Sequence, residues 1–155
     1  MTQTVPIIFT PPVQKPILPA SGRLTALVIA GAALAVLVIG LLLSPSPTGM
    51  GTHKALGLQP CQFLATSGLP CPTCGMTTSF AHFVRGEWLR SFYVQPMGFL
   101  GALATGAIFW ACFYIAVTGR PIHRLIKQVP MLTLVVTSIG LAIAAWGWKI
   151  FIHLR

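Results

Sequence analysis

Three long apolar stretches dominate the pattern of hydrophobic and polar positions along the chain. Each has about the 20 residues that a helix needs to cross the hydrocarbon of a bilayer, and none carries a charged residue in its middle. Prolines follow the first stretch and Arg120-Pro121 follows the second, so each ends at a helix breaker. The pattern predicts an all-α membrane protein with three transmembrane helices, at residues 24–43, 96–117 and 131–150.

The segments outside these spans differ in character. Residues 1–23 hold five prolines and no apolar periodicity, which predicts a disordered tail ahead of a single membrane domain, residues 24–155. The connecting segment, residues 44–95, separates the first two spans. From Thr77 to Phe92 its apolar residues recur at three- and four-residue steps, as on one face of an amphipathic helix. Aromatic residues with flanking arginines favour an interfacial helix in the headgroup region, and a short helix packed on the bundle is the alternative.

The composition of the chain excludes several classes of function. The chain is 55 % hydrophobic and 7 % charged, whereas soluble domains carry roughly 25 % charged residues. It has no Asp, and Glu87 is its only Glu. Paired-carboxylate catalysis and Ser-His-Asp triads are therefore excluded, and Mg²⁺ or Ca²⁺ sites built from carboxylates are disfavoured. Because no span has an ionisable residue at its centre, an ion pathway is disfavoured as well. These absences favour a non-enzymatic role.

A net charge of +9 is also typical of proteins that bind nucleic acid. The basic residues are scattered and flank the spans, where they meet anionic lipid headgroups and set topology. We therefore predict membrane lipids as partners and no nucleic acid. Positive charge in the N-terminal flank and in the loop between spans two and three predicts a cytoplasmic N-terminus. The residues concerned are Lys15, Arg23, Arg120, Arg124 and Lys127.

A strip of small residues marks the second span. Gly98, Ala102 and Gly106 repeat at four-residue spacing. Small residues so placed let helix backbones approach closely. The strip predicts contact with another helix of the bundle, with a second copy or with a partner membrane protein.

A compact cysteine motif, Cys71-Pro72-Thr73-Cys74, lies in the connecting segment. If Pro72 occupies the first turn of the helix that follows, both thiols lie at its N-terminus, where the helix dipole favours thiolates. Three hypotheses stay open: structural packing of the thiols, a disulfide or exchangeable dithiol, or a zinc site. Zinc needs further ligands, and the candidates are Cys61 with His82 or His53. No βαβ pattern surrounds the pair, which excludes a thioredoxin-like domain.

The motif also resembles that of a known family. Residues 71–80 read C-P-T-C-G-M-T-T-S-F, and Arg85-Gly86 and Gln95-Pro96 follow before the second span. This arrangement resembles domain-of-unknown-function family 2752, small bacterial membrane proteins with a C-P-x-C-G-x-T signature. The resemblance implies a helical fold in the bacterial inner membrane and assigns no activity. Thr78 stands where the family pattern often has Arg, so no role of that Arg transfers to this chain.

Two functional hypotheses follow. The first is an accessory or interaction subunit of the membrane without a cofactor, based on the missing carboxylates, the uncharged spans and the small-residue strip. The alternative is a thiol-dependent redox or metal-binding protein that uses Cys71 and Cys74, with zinc as the metal.

Overall fold

The computed structural model describes residues 18–59, 61–120 and 130–154. All regular elements in these ranges are helical, which confirms the predicted fold class. The α-helices, in chain order, are α1 (Ala20–Leu42), α2 (Gln62–Ser67), α3 (Met76–Val84), α4 (Trp88–Val94), α5 (Pro96–Thr118) and α6 (Met131–Leu154). A 3₁₀ helix, Thr52–Leu56, lies between α1 and α2.

The three predicted spans are present. Ala20–Leu42, Pro96–Thr118 and Leu132–Leu154 are each long and apolar enough to cross a membrane. The first helix begins before the predicted start at Leu24, because the guanidinium of Arg23 finds hydrogen-bond partners on α5. Its guanidinium donates hydrogen bonds to the carbonyls of Ala116 and Val117 at the end of α5. Most of the predicted tail, residues 1–17, lies outside the described residues.

Helices α1 and α5 pack along each other in an antiparallel pair. The buried residues of α1 are all small, namely Ala26, Ala30, Ala33 and Gly40. Small side chains allow two helices to approach closely without water between them. At the other end of the pair, Arg85 donates to the carbonyls of Gly40 and Leu41 and so satisfies the end of α1.

Part of the small-residue strip of the second span packs against other helices of the same chain. Gly98 and Ala102 are buried, and a Cβ placed on Gly98 would lie 2.7 Å from the Cβ of Ser79 in α3. Gly106 differs, because a Cβ placed there meets nothing within 4 Å. The strip therefore packs against this chain's own helices at one end, and contact with a second copy or a partner stays a prediction.

The segment from Thr77 to Phe92 was predicted as one continuous helix, and this is wrong. It forms two helices, α3 and α4. Gly86 has a φ of +79° in the turn that separates α3 from α4. This left-handed conformation ends a helix and is readily adopted by glycine. Both short helices pack on α5, and α3 also packs on α1. Their location at the membrane interface stays a prediction.

Helix α6 joins the connecting segment through its C-terminal half. Trp146 donates its indole N–H to the carbonyl of Pro70, and Trp148 donates to the carbonyl of Tyr93. The N-terminal half, from Leu132 to Leu141, is exposed throughout. The C-terminal end of α6 and the connecting segment therefore share one side of the molecule. The predicted cytoplasmic N-terminus stays a prediction, and residues 121–129 of the basic loop lie outside the described residues.

Candidate functional site

Three of the four cysteines form a cluster in the connecting segment. The sulfur atoms of Cys61, Cys71 and Cys74 all lie within 4.8 Å of one another. The Sγ atoms of Cys71 and Cys74 are 3.4 Å apart, and all three cysteines are free thiols. Cys112 is also a free thiol, but it belongs to α5 and not to the cluster. The fold brings Cys61, a candidate ligand named from the sequence, next to the pair of the motif. We call these three residues the cysteine cluster.

The thiol pair lies on a turn that precedes α3. The amide of Cys74 donates to the carbonyl of Cys71 over 3.0 Å, and the amide of Met76 donates to the carbonyl of Thr73 over 3.1 Å. Gly75 then caps the helix with a φ of +87°. The prediction that Pro72 lies in the first helical turn is therefore wrong, because the left-handed Gly75 separates the turn from the helix. Both thiols precede the helix rather than forming part of it.

A buried glutamine holds the cysteine turn through a hydrogen bond to its backbone. The side chain of Gln95 is fully buried and donates its Nε2 hydrogen to the carbonyl of Pro72 over 2.7 Å. The residue ends α4 and immediately precedes Pro96 of α5, so this hydrogen bond ties the cysteine turn to the start of the second span. A buried amide hydrogen bond of this kind is costly to remove, since its partner is left unsatisfied.

Hydroxyl groups extend the buried polar contacts. Thr78 is fully buried and its Oγ1 lies 2.8 Å from the Oγ1 of Thr52 in the 3₁₀ helix. Ser79 and Ser91 bond reciprocally, each hydroxyl donating to the other residue's carbonyl over 2.9 Å and 2.8 Å. These contacts join α3 to the 3₁₀ helix and to α4.

A buried lysine from the third span lies beside the cysteine turn. Lys149 is 5 % exposed, and its Nζ donates to the carbonyls of Gly49 and Val94 over 3.3 Å and 3.1 Å. A Cβ placed on Gly75 would lie 3.0 Å from that Nζ. The only acidic side chain of the sequence, Glu87, pairs elsewhere. Lys149 thus places a positive charge beside Gly75, the residue that follows Cys74, and positive charge near a thiol favours the thiolate.

Sequence reasoning missed this role of Lys149. A lysine near the end of a span is ordinarily a flanking charge that reaches the headgroups, and its position in the sequence carries no other signal. The near absence of carboxylates was the one available signal for this role. Without carboxylates, a buried ammonium group can pair only with backbone carbonyls or thiolates.

The two thiols of the motif differ in acidity. Burial raises the pKa of Cys71, but hydrogen bonds with Thr73, Cys74 and Cys61 outweigh it and lower the pKa to about 7. The hydroxyl of Thr73 lies 3.3 Å from the Cys71 sulfur. Burial and the hydrogen bond to Cys71 raise the pKa of Cys74 to about 12. Cys71 is therefore the thiol that ionises first, around neutral pH, while Cys74 stays protonated.

This difference predicts the pH dependence of alkylation. Because only the thiolate reacts, the rate of Cys71 alkylation by iodoacetamide should rise with pH and level off above a midpoint of about 7. Cys74 should stay unreactive over the same range. In Thr73→Val the thiolate loses a hydrogen bond, so the midpoint should move upward by about one pH unit. Rates are measured by mass spectrometry of quenched samples, and a single midpoint shared by both cysteines would contradict the assignment.

The two candidate histidines are placed differently. His82 Nδ1 lies 2.6 Å from the carboxylate of Glu87, and His82 does not join the cysteine cluster. The hydrogen bond from His82, together with the charge of Arg90, lowers the pKa of Glu87. His53 borders a cavity with the cysteines, and its Nε2 lies 3.2 Å from the carbonyl of Gln59. Of the predicted zinc ligands, the structure thus brings together the three cysteines and leaves His82 apart.

A cavity of about 570 Å³ opens beside the cysteine cluster. Its lining comes mainly from the C-terminal part of α1 and from the cysteine turn with the first residues of α3. We call it the thiol cavity. Its lining residues are Val36, Ile39, Gly40, Leu43, Gly51, His53, Cys61, Cys71, Thr73, Cys74, Gly75, Met76, Thr77, Thr78 and Phe80.

Fold and site together define a helical integral membrane protein with three candidate spans and a cluster of three thiols between the first two. Residues 61–110 match the family model described as Protein of unknown function (DUF2752). The match confirms the resemblance predicted from the cysteine motif, and it covers the cysteine cluster and the first half of α5. Comparisons with curated proteins and with solved structures give no match.

Proposed function

We propose that this chain is a thiol-dependent redox protein of the membrane, in which Cys71 and Cys74 interconvert between a dithiol and a disulfide. The observation that carries the proposal is the 3.4 Å separation of the two Sγ atoms on one tight turn. A turn closed by a hydrogen bond from residue i+3 to residue i brings the Cα atoms within about 7 Å. Disulfides require Cα separations of about 4.4–6.8 Å, so the bond can form with little movement of the backbone.

The reaction balances as a two-electron oxidation. Two S–H bonds break, one S–S bond forms, and an oxidant takes up two electrons and two protons. Lys149 places a positive charge beside Gly75, the residue that follows Cys74, and so supports ionisation of the thiol pair. Gln95 holds the carbonyl of Pro72 and so keeps the turn in a conformation that presents both sulfurs to the thiol cavity.

Zinc binding is a second candidate function, favoured by the third sulfur. Tetrahedral zinc with Zn–S bonds of about 2.3 Å places its sulfur ligands roughly 3.8 Å apart. Three sulfurs within 4.8 Å of one another fit this arrangement. A fourth ligand is required to close a structural site, and a water molecule would serve, since neither His53 nor His82 joins the three sulfurs.

Oxidation of the purified full chain by diamide tests the proposed function. The expected product is a disulfide between Cys71 and Cys74, identified by mass spectrometry of unreduced peptides. Cys61→Ser and Cys112→Ser should form the same disulfide, whereas Cys71→Ser and Cys74→Ser should not. Predominant bonding of Cys61 to either partner, or one tightly held zinc ion per chain that protects all three thiols, would overturn the redox proposal. The zinc result would establish the second candidate.

The predicted role as an accessory or interaction subunit stays a proposal beside these two. Its structural support is the exposed N-terminal half of α6, which projects from the bundle without covering helices among the described residues. Lipid or a partner span would cover it equally well, and a redox function of the cysteines is compatible with either.

A further inference from the structure

The thiol cavity has two unlike walls. Val36 and Ile39 lie on one apolar face of α1, the first candidate span, and Leu43 follows directly after its end. Cys71 and Cys74 line the same cavity. A ligand held between them would touch a membrane helix and the reactive sulfurs together. This juxtaposition selects a ligand that is itself soluble in the bilayer.

The charge of the lining selects a neutral ligand. Among the described residues that border the thiol cavity there is no Lys, Arg, Asp or Glu. Phosphate-bearing cofactors and charged thiol peptides are usually held by charged side chains, which the described residues of this lining lack. The polar groups available here are the hydroxyls of Thr73 and Thr77 and the imidazole of His53, which suit neutral carbonyl oxygens. Phe80 adds an aromatic side chain against which a ring can pack.

We infer that the thiol cavity binds a lipid-soluble quinone, which oxidises the Cys71–Cys74 pair. This inference rests on the proposed redox function and names its electron acceptor by chemical class. The two S–H bonds break and the S–S bond forms. The two electrons and two protons pass to the two ring oxygens, so the quinone leaves as a hydroquinone. The cavity volume of about 570 Å³ lies in the usual range of roughly 300–1,000 Å³ for small-molecule sites.

The test uses the reduced full chain in lipid nanodiscs, with a short-tailed alkyl benzoquinone as the probe. Wild-type protein should lose two thiols for each quinone reduced, with the disulfide mapped to Cys71 and Cys74. Ile39→Trp places a large ring in the cavity and should slow this reaction about tenfold or more. Val38→Trp is the matched control, because Val38 is a neighbouring exposed residue of α1 outside the lining. Val36→Phe provides a second blocking variant if Ile39→Trp does not fold.

Diamide oxidation of the same samples distinguishes a failure of the quinone site from a failure of the proposed redox function. Equal diamide rates in wild type, Ile39→Trp and Val38→Trp show that the thiols are intact and equally accessible in the three proteins. If diamide forms the disulfide but the quinone does not, or if both blocking variants react with quinone at the wild-type rate, the quinone site is overturned and the redox function stands. If neither oxidant forms the disulfide, the proposed function fails as well.

Discussion

Replacing Gly75 with alanine is expected to lower the free energy of unfolding by about 3 kcal/mol. Gly75 adopts a φ of +87°, where a Cβ is strained, and the added Cβ would lie 2.7 Å from the backbone carbonyl oxygen of Gly49. Backbone atoms cannot rotate away as a side chain can, so the cysteine turn or the segment around Gly49 must move. The loss is measured as a shift of the denaturation midpoint in detergent micelles.

Gly68→Ala is the matched control for this substitution. Gly68 has a similar φ of +70°, but a Cβ added there meets nothing within 4 Å. It should lose only the conformational component, about 1 kcal/mol. Diamide should also form the Cys71–Cys74 disulfide normally in the control and more slowly in Gly75→Ala, since the latter strains the backbone next to Cys74. Equal losses of stability in the two variants would contradict the close packing of Gly75 against Gly49.

A second large effect is expected at the contact between α3 and α5. In Gly98→Ala the new Cβ would lie 2.7 Å from the Cβ of Ser79 and 3.2 Å from the Cα of Met76. Overpacking of this kind costs about 1–3 kcal/mol. Movement of Ser79 would also break its hydrogen bond to the carbonyl of Ser91. We expect a loss of about 3 kcal/mol from the two effects together, read as a lower midpoint of thermal unfolding in nanodiscs.

Gly106→Ala provides the comparison on the same helix. A Cβ at Gly106 meets nothing within 4 Å, and alanine is favoured over glycine inside a helix by about 1 kcal/mol. The midpoint should therefore stay unchanged or rise. A fall in Gly106→Ala as large as that in Gly98→Ala would mean that the whole strip packs against a helix of another molecule.

The spans were predictable because length and apolarity alone determine whether a helix can cross a bilayer. The division of the connecting segment into α3 and α4 was not predictable, because the spacing of its apolar residues continues unchanged across Gly86. Only the left-handed conformation of Gly86 shows that the helix ends there. The extra turn at the start of α1 depends on contacts between Arg23 and α5, which lie far apart in sequence.

The candidate site was predictable only in its local part. Cys71 and Cys74 are three residues apart, and any tight turn brings such thiols together. The approach of Cys61, the separation of His82 and the burial of Lys149 depend on how distant segments pack. Spacing in the sequence carries no information about such contacts.

The thiol pair, its buried glutamine support and the neighbouring lysine form one polar unit at the end of an apolar bundle. The unit is held mostly by backbone carbonyls rather than by carboxylates, which the chain nearly lacks. A redox function explains why two free thiols at 3.4 Å face a cavity instead of being packed away from it.

The most direct test of the redox function is the thiol state of the protein in its own membrane. Cells are quenched with acid before and after a brief exposure to diamide and again after recovery, and free thiols are then tagged with a maleimide of known mass. The redox account predicts that Cys71 and Cys74 lose their tags together on oxidation and regain them together on recovery, while Cys112 stays tagged. Full tagging of Cys71 and Cys74 at every stage would contradict it.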